Sequence, residues 1–124
     1  MIEIMVVEKD PSLAWLYKEE LEEAGFGVRV VHDSERALYE LRSRPVHVLV
    51  TDDASINGGW ESWVGKVRDC HQGDLVVLFS ERLPRASGKR GLQLLPKSSN
   101  LEPLIRSLKS QSLKFLWHQA TANC

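Results

Sequence analysis

Three charged residues follow three apolar runs of the sequence, each at the point where a run ends. Glu8 follows Ile4–Val7, Asp52 follows Val48–Thr51, and Lys97 comes two residues after a third run. If these runs are parallel strands of one sheet, their carboxyl ends meet at the same edge, where open α/β sheets carry their chemistry. Two carboxylates and one ammonium group would then share a single polar site.

The elements that must position these residues alternate between strand and helix patterns. Short apolar runs without helical period predict five buried strands, at Ile2–Val7, Val28–Val31, Val46–Thr51, Leu75–Phe79 and Leu92–Leu95. Amphipathic helices are predicted after Asp10-Pro11, after Asp33-Ser34, from Trp60 to Cys70, and from about Asn100. This alternation predicts a three-layer, doubly wound α/β fold with a five-stranded parallel sheet and right-handed crossovers.

The segment between the fourth and fifth strands lacks a helix pattern. Residues 80–91 include Pro84, Ser87 and Gly88 and have almost no apolar periodicity, so the fourth helix is expected to be shortened or missing. Residues 1–110 are predicted to form the domain, and residues 111–124 to extend the last helix, toward Gln119, or to form a tail. There, Leu113–Trp117 is either packed on its own domain or is a homodimer or linker contact.

Composition limits the function classes. The chain has 124 residues, 43% of them hydrophobic, and a formal net charge of −1. One globular domain is expected, with no bulk positive field for direct nucleic-acid binding. No apolar stretch is long enough to span a membrane, and no signal-peptide pattern is present. Cys70 and Cys124 are interpreted as free thiols in a reducing cytosol, so a cytoplasmic protein is expected.

Taken together, these residues and the order of the elements resemble the receiver domain of bacterial two-component response regulators, which has a flavodoxin-like fold. The resemblance covers approximately residues 2–110. The segment 6–11 (VVEKDP) is similar to the acidic cluster of that family, and Asp52 matches its phosphate-accepting aspartate. Ser80 matches the hydroxyl residue after the fourth strand, and Lys97 matches the lysine that contacts the phosphoryl group.

The resemblance implies a role in phosphorelay signalling. The Asp52 carboxylate would attack a phosphoryl donor, with Ser80 and Lys97 binding phosphoryl oxygens and Mg²⁺ held by Glu8 and Asp52. The expected partner is a histidine kinase or another signalling protein. Such a protein acts through contacts that switch with phosphorylation, and not as a turnover enzyme.

The chain departs from the family pattern at the metal site. The family usually has two adjacent acids where this chain has Glu8-Lys9. The charges of Glu8, Lys9, Asp52 and Lys97 sum to zero, whereas an acid at position 9 would give −2. Only weak Mg²⁺ binding is therefore expected, and the ammonium of Lys9 is predicted to stand where the metal would, paired with Asp52 or Glu8.

Two functional hypotheses follow, and the sequence leaves both open. In the first, Asp52 is a phosphoacceptor. In the second, the chain is a degenerate pseudo-receiver, a protein-interaction module that is locked by Lys9 and independent of phosphorylation. Leu94, where the family usually has an aromatic residue, and Ser98, where it usually has a proline after the lysine, favour this second hypothesis. A flavin-binding enzyme is disfavoured, because no phosphate-cradling glycine-rich loop follows the first strand.

Overall fold

The computed structural model describes residues 1–85 and 91–110. Nine named elements, in chain order, are β1 (Glu3–Val7), α1 (Pro11–Glu23), β2 (Gly27–Val31), α2 (Ser34–Ser43), β3 (Val48–Asp52), a 3₁₀ turn (Asp53–Ser55), α3 (Trp60–Arg68), β4 (Asp74–Phe79) and β5 (Leu92–Pro96). A last helix, α4, is described over residues 102–110. None of the helices in these ranges is both long and apolar enough to cross a bilayer.

The five strands form one parallel sheet in the order β2-β1-β3-β4-β5. The register aligns their carboxyl ends, since Val7 pairs with Thr51 and Asp52 pairs with Leu78. Beyond the last pair of β4 and β5, the Lys97 N–H donates to the Phe79 carbonyl oxygen at 2.8 Å. The predicted three-layer α/β fold is confirmed, and the three charged residues lie at one edge of the sheet.

Apolar side chains cover both faces of the sheet, which explains why the strands are continuous apolar runs. Successive strand residues point to opposite faces. Met5 and Val7 belong to a core shared with α2 and α3, whereas Ile4 and Val6 belong to a core shared with α1 and α4. The helices therefore have fixed rotations relative to the strand ends.

Aspartates cap the first two helices: Asp10 was predicted to do so, and Asp33 was one of two candidates, the other being Ser34. The Asp10 side chain accepts hydrogen bonds from the backbone N–H groups of Ser12 and Leu13, and Pro11 occupies the first turn of α1. Asp33 caps α2 in the same way. Such caps satisfy backbone N–H groups that have no partner within the helix. They therefore fix where α1 and α2 begin after the strands β1 and β2.

The predicted shortening or loss of a helix between β4 and β5 can be compared with the structure over only part of that segment. Residues 81–85 contain no helix or strand, while residues 86–90 lie outside the described residues. The predicted extension over residues 111–124, including the Leu113–Trp117 contact, also lies outside them. The crossover from β4 to β5 therefore begins as an irregular segment directly beside the site edge.

Gly73 provides a test of the packing at the start of β4. A Cβ at this position would fall against the backbone carbonyl oxygen of His47, which also accepts the N–H of Asp74. Gly73→Ala is expected to lower the free energy of unfolding by about 1–3 kcal/mol through overpacking. Gly65→Ala, in α3 with open space around it, is the control and is expected to stabilise by roughly 0.5–1 kcal/mol. Equal effects of the two substitutions in urea denaturation would contradict this packing.

Candidate functional site

The carboxylates of Glu8 and Asp52 are both buried at the carboxyl edge of adjacent strands. Glu8 follows β1 and is 3% exposed, and Asp52 ends β3 and is 2% exposed. Buried carboxylates are stable only when they are paired and hydrogen-bonded. Each must therefore have a partner inside the site.

Lys97 is that partner for both carboxylates. Its Nζ donates to Asp52 Oδ2 at 2.6 Å and to Glu8 Oε1 at 2.9 Å, and 19% of the lysine side chain is exposed. The ammonium group thus lies between two carboxylates from two different strands. The structure brings together three of the four residues that were predicted to converge, and the fourth is Ser80.

The environment of Lys97 acts on its pKa in two opposite ways. Burial by itself lowers the pKa of the ammonium group, while the hydrogen bonds from Lys97 to Asp52 and Glu8 and their negative charges raise it. The attractive effects prevail, so the pKa lies above its ordinary value. Lys97 therefore remains charged at neutral pH and serves as the resident cation of the site.

Ser55 completes the set of partners around Glu8. Its Oγ donates to Glu8 Oε2 at 3.0 Å and accepts from the Lys9 N–H at 3.1 Å, while the Asp10 N–H approaches the same Glu8 oxygen at 3.3 Å. Ser55 is buried in the 3₁₀ turn after β3. Both oxygens of Glu8 are consequently engaged. Ser55 was not predicted as a site residue, and the only indication of it in the sequence is its position three residues after Asp52.

The side chain of Lys9 does not occupy the position predicted for it. Lys9 is exposed and forms no ion pair with any residue of the two described ranges. The cation between Glu8 and Asp52 is Lys97, which reaches both carboxylates from β5. The prediction of an internal cation in this site was right in kind, but it was wrong in naming Lys9.

Ser80 lies at the rim of the site and not inside it. Its Oγ donates to Asp53 Oδ1 at 3.4 Å, and the residue is exposed. Asp53 is half-buried at the start of the 3₁₀ turn and directs its carboxylate toward β4. The structure therefore separates the adjacent acids: Asp52 faces Lys97, and Asp53 faces Ser80.

One oxygen of Asp52 has no hydrogen-bond partner among the described residues. Asp52 Oδ1 is buried without a hydrogen bond, although Oδ2 is bound to Lys97. A narrow cavity with no room for a water molecule is lined by Glu8, Asp52 and Tyr17 among others. Tyr17 comes from the inner face of α1 and is 3% exposed.

The arrangement suits a divalent cation poorly. The unpartnered oxygen of Asp52 is a free acceptor, but both oxygens of Glu8 are occupied and Lys97 already bridges the two carboxylates. Within residues 1–85 and 91–110, no three His, Cys, Asp or Glu side chains are grouped as a metal site. Mg²⁺ prefers several oxygen ligands in near-octahedral geometry, which this arrangement does not offer.

The sequence and the fold of the chain were compared with those of known proteins. No protein-family model matches the chain. It is similar to the transcriptional regulatory protein CpxR of Escherichia coli K12, at 29% identity over 128 residues that cover 99% of this chain and 54% of CpxR. The chain thus spans about half the length of the curated relatives it matches.

Solved structures of similar fold include a two-component response regulator from Clostridium difficile, with TM-score 0.82, 19% identity, and coverage of 93% of this chain and 98% of that one. Another is the response regulator TrrA of Thermotoga maritima in complex with Mg²⁺-BeF (TM-score 0.73, 23% identity, 90% and 99% covered). TrrA is also solved with the histidine kinase ThkA (TM-score 0.76, 23% identity, 90% and 98% covered). The chain therefore has the receiver-domain fold, and its predicted resemblance to the receiver domains of response regulators is confirmed.

Proposed function

We propose that this chain is a signalling module that accepts a phosphoryl group on Asp52 and changes its partner contacts in response. The observation that carries the proposal is the ammonium group of Lys97, 2.6 Å from Asp52 at the carboxyl edge of the sheet. A fixed cation beside a carboxylate is what a phosphoryl group with negatively charged oxygens requires. The donor would be the phosphohistidine of a histidine kinase, since TrrA, a protein of similar fold, is solved with such a kinase.

The proposed reaction forms one bond and breaks one. A carboxylate oxygen of Asp52 attacks phosphorus in line as the bond from phosphorus to the donor nitrogen breaks, and the donor imidazole leaves with that electron pair. Lys97 then turns from the carboxylates toward the phosphoryl oxygens. Because Asp52 is 2% exposed, the pocket must open at its rim before a donor reaches it.

Ser80 and Asp53 are the residues through which phosphorylation of Asp52 would alter the protein surface. The hydroxyl of Ser80 donates to Asp53 in the absence of a phosphoryl group. A phosphoryl group on Asp52 would offer stronger, charged acceptors to the same hydroxyl. Movement of Ser80 toward it would draw in the irregular segment 81–85, which begins the crossover to β5. The surface that partners contact would change there.

A second candidate is a pseudo-receiver that binds partners without phosphorylation. The observation in its favour is that Glu8 and Asp52 already share one ammonium group and that Glu8 has no free oxygen. In such a site the ammonium group of Lys97 already offsets one of the two carboxylate charges without a metal. In this reading Lys97, and not Lys9, holds the module in one conformation.

Intact-mass spectrometry after incubation with a small acyl-phosphate donor and Mg²⁺ separates the two candidates. The phosphoacceptor proposal predicts a gain of one phosphoryl group in the wild type and its loss in Asp52→Asn. Asp53→Asn is the matched control, because this neighbouring acid faces Ser80, and it is expected to retain the adduct. A wild type without adduct, under conditions that label another receiver domain, would favour the pseudo-receiver.

A further inference from the structure

Tyr17 is the only tyrosine among the described residues that line the small cavity beside Glu8 and Asp52. It lies on the face of α1 that packs against β1 and β3, with Val6 and Val50 as neighbours in the same core. Its hydroxyl makes no hydrogen bond to another residue of the described part of the chain, although it is not one of the fully buried unsatisfied polar atoms there. A buried phenol usually finds a partner for this polar group.

Asp52 Oδ1 lacks a hydrogen-bond donor, which the Tyr17 hydroxyl could supply. It is a buried acceptor with no donor within residues 1–85 and 91–110, on a carboxylate whose other oxygen is held by Lys97. Leaving such an acceptor unsatisfied is destabilising, because the oxygen has lost its hydrogen bonds to water. Lys97 already divides its donors between Asp52 and Glu8, so another group is needed to satisfy Oδ1.

The cavity that Tyr17 and Asp52 both line has no room for a water molecule. A bridging water therefore cannot supply the missing hydrogen bond, and a side chain must. We propose that the Tyr17 hydroxyl closes across this cavity and donates to Asp52 Oδ1, which makes Tyr17 a positioning residue for that carboxylate. The aspartate would then be held from two sides, by Lys97 on Oδ2 and by Tyr17 on Oδ1.

The electrostatics around Tyr17 agree with this geometry. Burial raises the pKa of the Tyr17 phenol to about 12; the charge of Lys97 lowers the pKa, while those of Glu8 and Asp52 raise it. All three charged groups of the site thus act on the pKa of the phenol. It stays protonated at neutral pH and keeps the proton that the proposed hydrogen bond needs.

Tyr17→Phe tests the inference, with Tyr39→Phe as a matched control. The chain has two tyrosines, and Tyr39 is 67% exposed on α2. The wild type is expected to show one slowly exchanging tyrosine hydroxyl proton in nuclear magnetic resonance spectra. That signal should disappear in Tyr17→Phe, with a shift of the Asp52 carboxyl carbon, and persist in Tyr39→Phe. These readouts need no phosphorylation, so they are independent of the proposed function.

The functional part of the inference rests on the proposed function and has its own readout. If Asp52 is the phosphoacceptor, Tyr17→Phe is expected to slow its labelling by an acyl phosphate about two- to tenfold, the worth of one hydrogen bond. Tyr39→Phe is expected to react at the wild-type rate. A wild type without a protected hydroxyl proton, or an Asp52 carboxyl carbon that does not shift in Tyr17→Phe, would overturn the inference whatever the labelling shows.

Discussion

Replacing Lys97 with methionine is expected to lower the free energy of unfolding by about 3–5 kcal/mol. The substitution leaves Glu8 and Asp52, 3% and 2% exposed, as neighbouring buried carboxylates without their shared cation. Removing one member of a buried ion pair is costly because the other charge remains desolvated and unpaired. Urea denaturation at neutral pH measures the loss.

A surface lysine provides the matched control for this prediction. Lys18 pairs with Glu22 at 3.1 Å, but both side chains are nearly half exposed. Lys18→Met is expected to cost at most about 1 kcal/mol, because exposed ion pairs contribute little. Adding Glu8→Gln to Lys97→Met should recover part of the loss. If Lys97→Met were no more damaging than Lys18→Met, Lys97 would not be the internal counter-ion of the site.

Lys9→Asp is expected to tighten Mg²⁺ binding by about tenfold or more, since carboxylate count tunes the affinity of oxygen-ligand sites. The substitution changes the summed charge of the residues at positions 8, 9, 52 and 97 from zero to −2. It also adds a carboxylate directly beside Glu8, whose own oxygens are engaged by Lys97, Ser55 and the Asp10 N–H. Isothermal titration calorimetry at constant ionic strength measures the change.

The control for this second prediction is Lys66→Asp. Lys66 is exposed in the last turn of α3, so this substitution alters the net charge of the chain equally without adding a ligand at the site. Its Mg²⁺ affinity should equal that of the wild type. Equal affinities for the two variants would mean that the residue at position 9 does not control metal binding.

The fold could be predicted from local patterns because each pattern has one simple physical cause. Parallel strands are covered on both faces, so they are apolar throughout, and β4 was located to within one residue of its start. Asp10 was identified as the cap of α1 from its place before Pro11, whereas the sequence left Asp33 and Ser34 as alternatives for α2, of which Asp33 is the cap. Residues 111–124 carry the same kind of helical pattern, but they lie outside the described residues, and their assignment stays a prediction.

The site was predictable as far as strand ends define it. Glu8, Asp52 and Lys97 converge because the parallel register aligns those ends. Which lysine bridges the carboxylates depends on side-chain direction, and adjacent residues at a strand end point to different sides, which leaves Lys9 exposed.

Two further groups of the site were beyond the reach of pattern analysis. Ser55 approaches Glu8 only because the 3₁₀ turn reverses the chain after β3. Tyr17 reaches the cavity beneath Asp52 because of the rotation of α1 on the sheet. Neither the closing of a turn nor the rotation of a helix has a signature in residue spacing alone.

The central claim is that Asp52, and no other residue, receives the phosphoryl group. The most direct measurement treats the wild type with an acyl phosphate, reduces the product with borohydride, and maps the peptides by mass spectrometry. An aspartyl phosphate is reduced to homoserine at the labelled position, so the account predicts homoserine at position 52 and unmodified aspartate at position 53. Homoserine at any other aspartate, or at none, would contradict it.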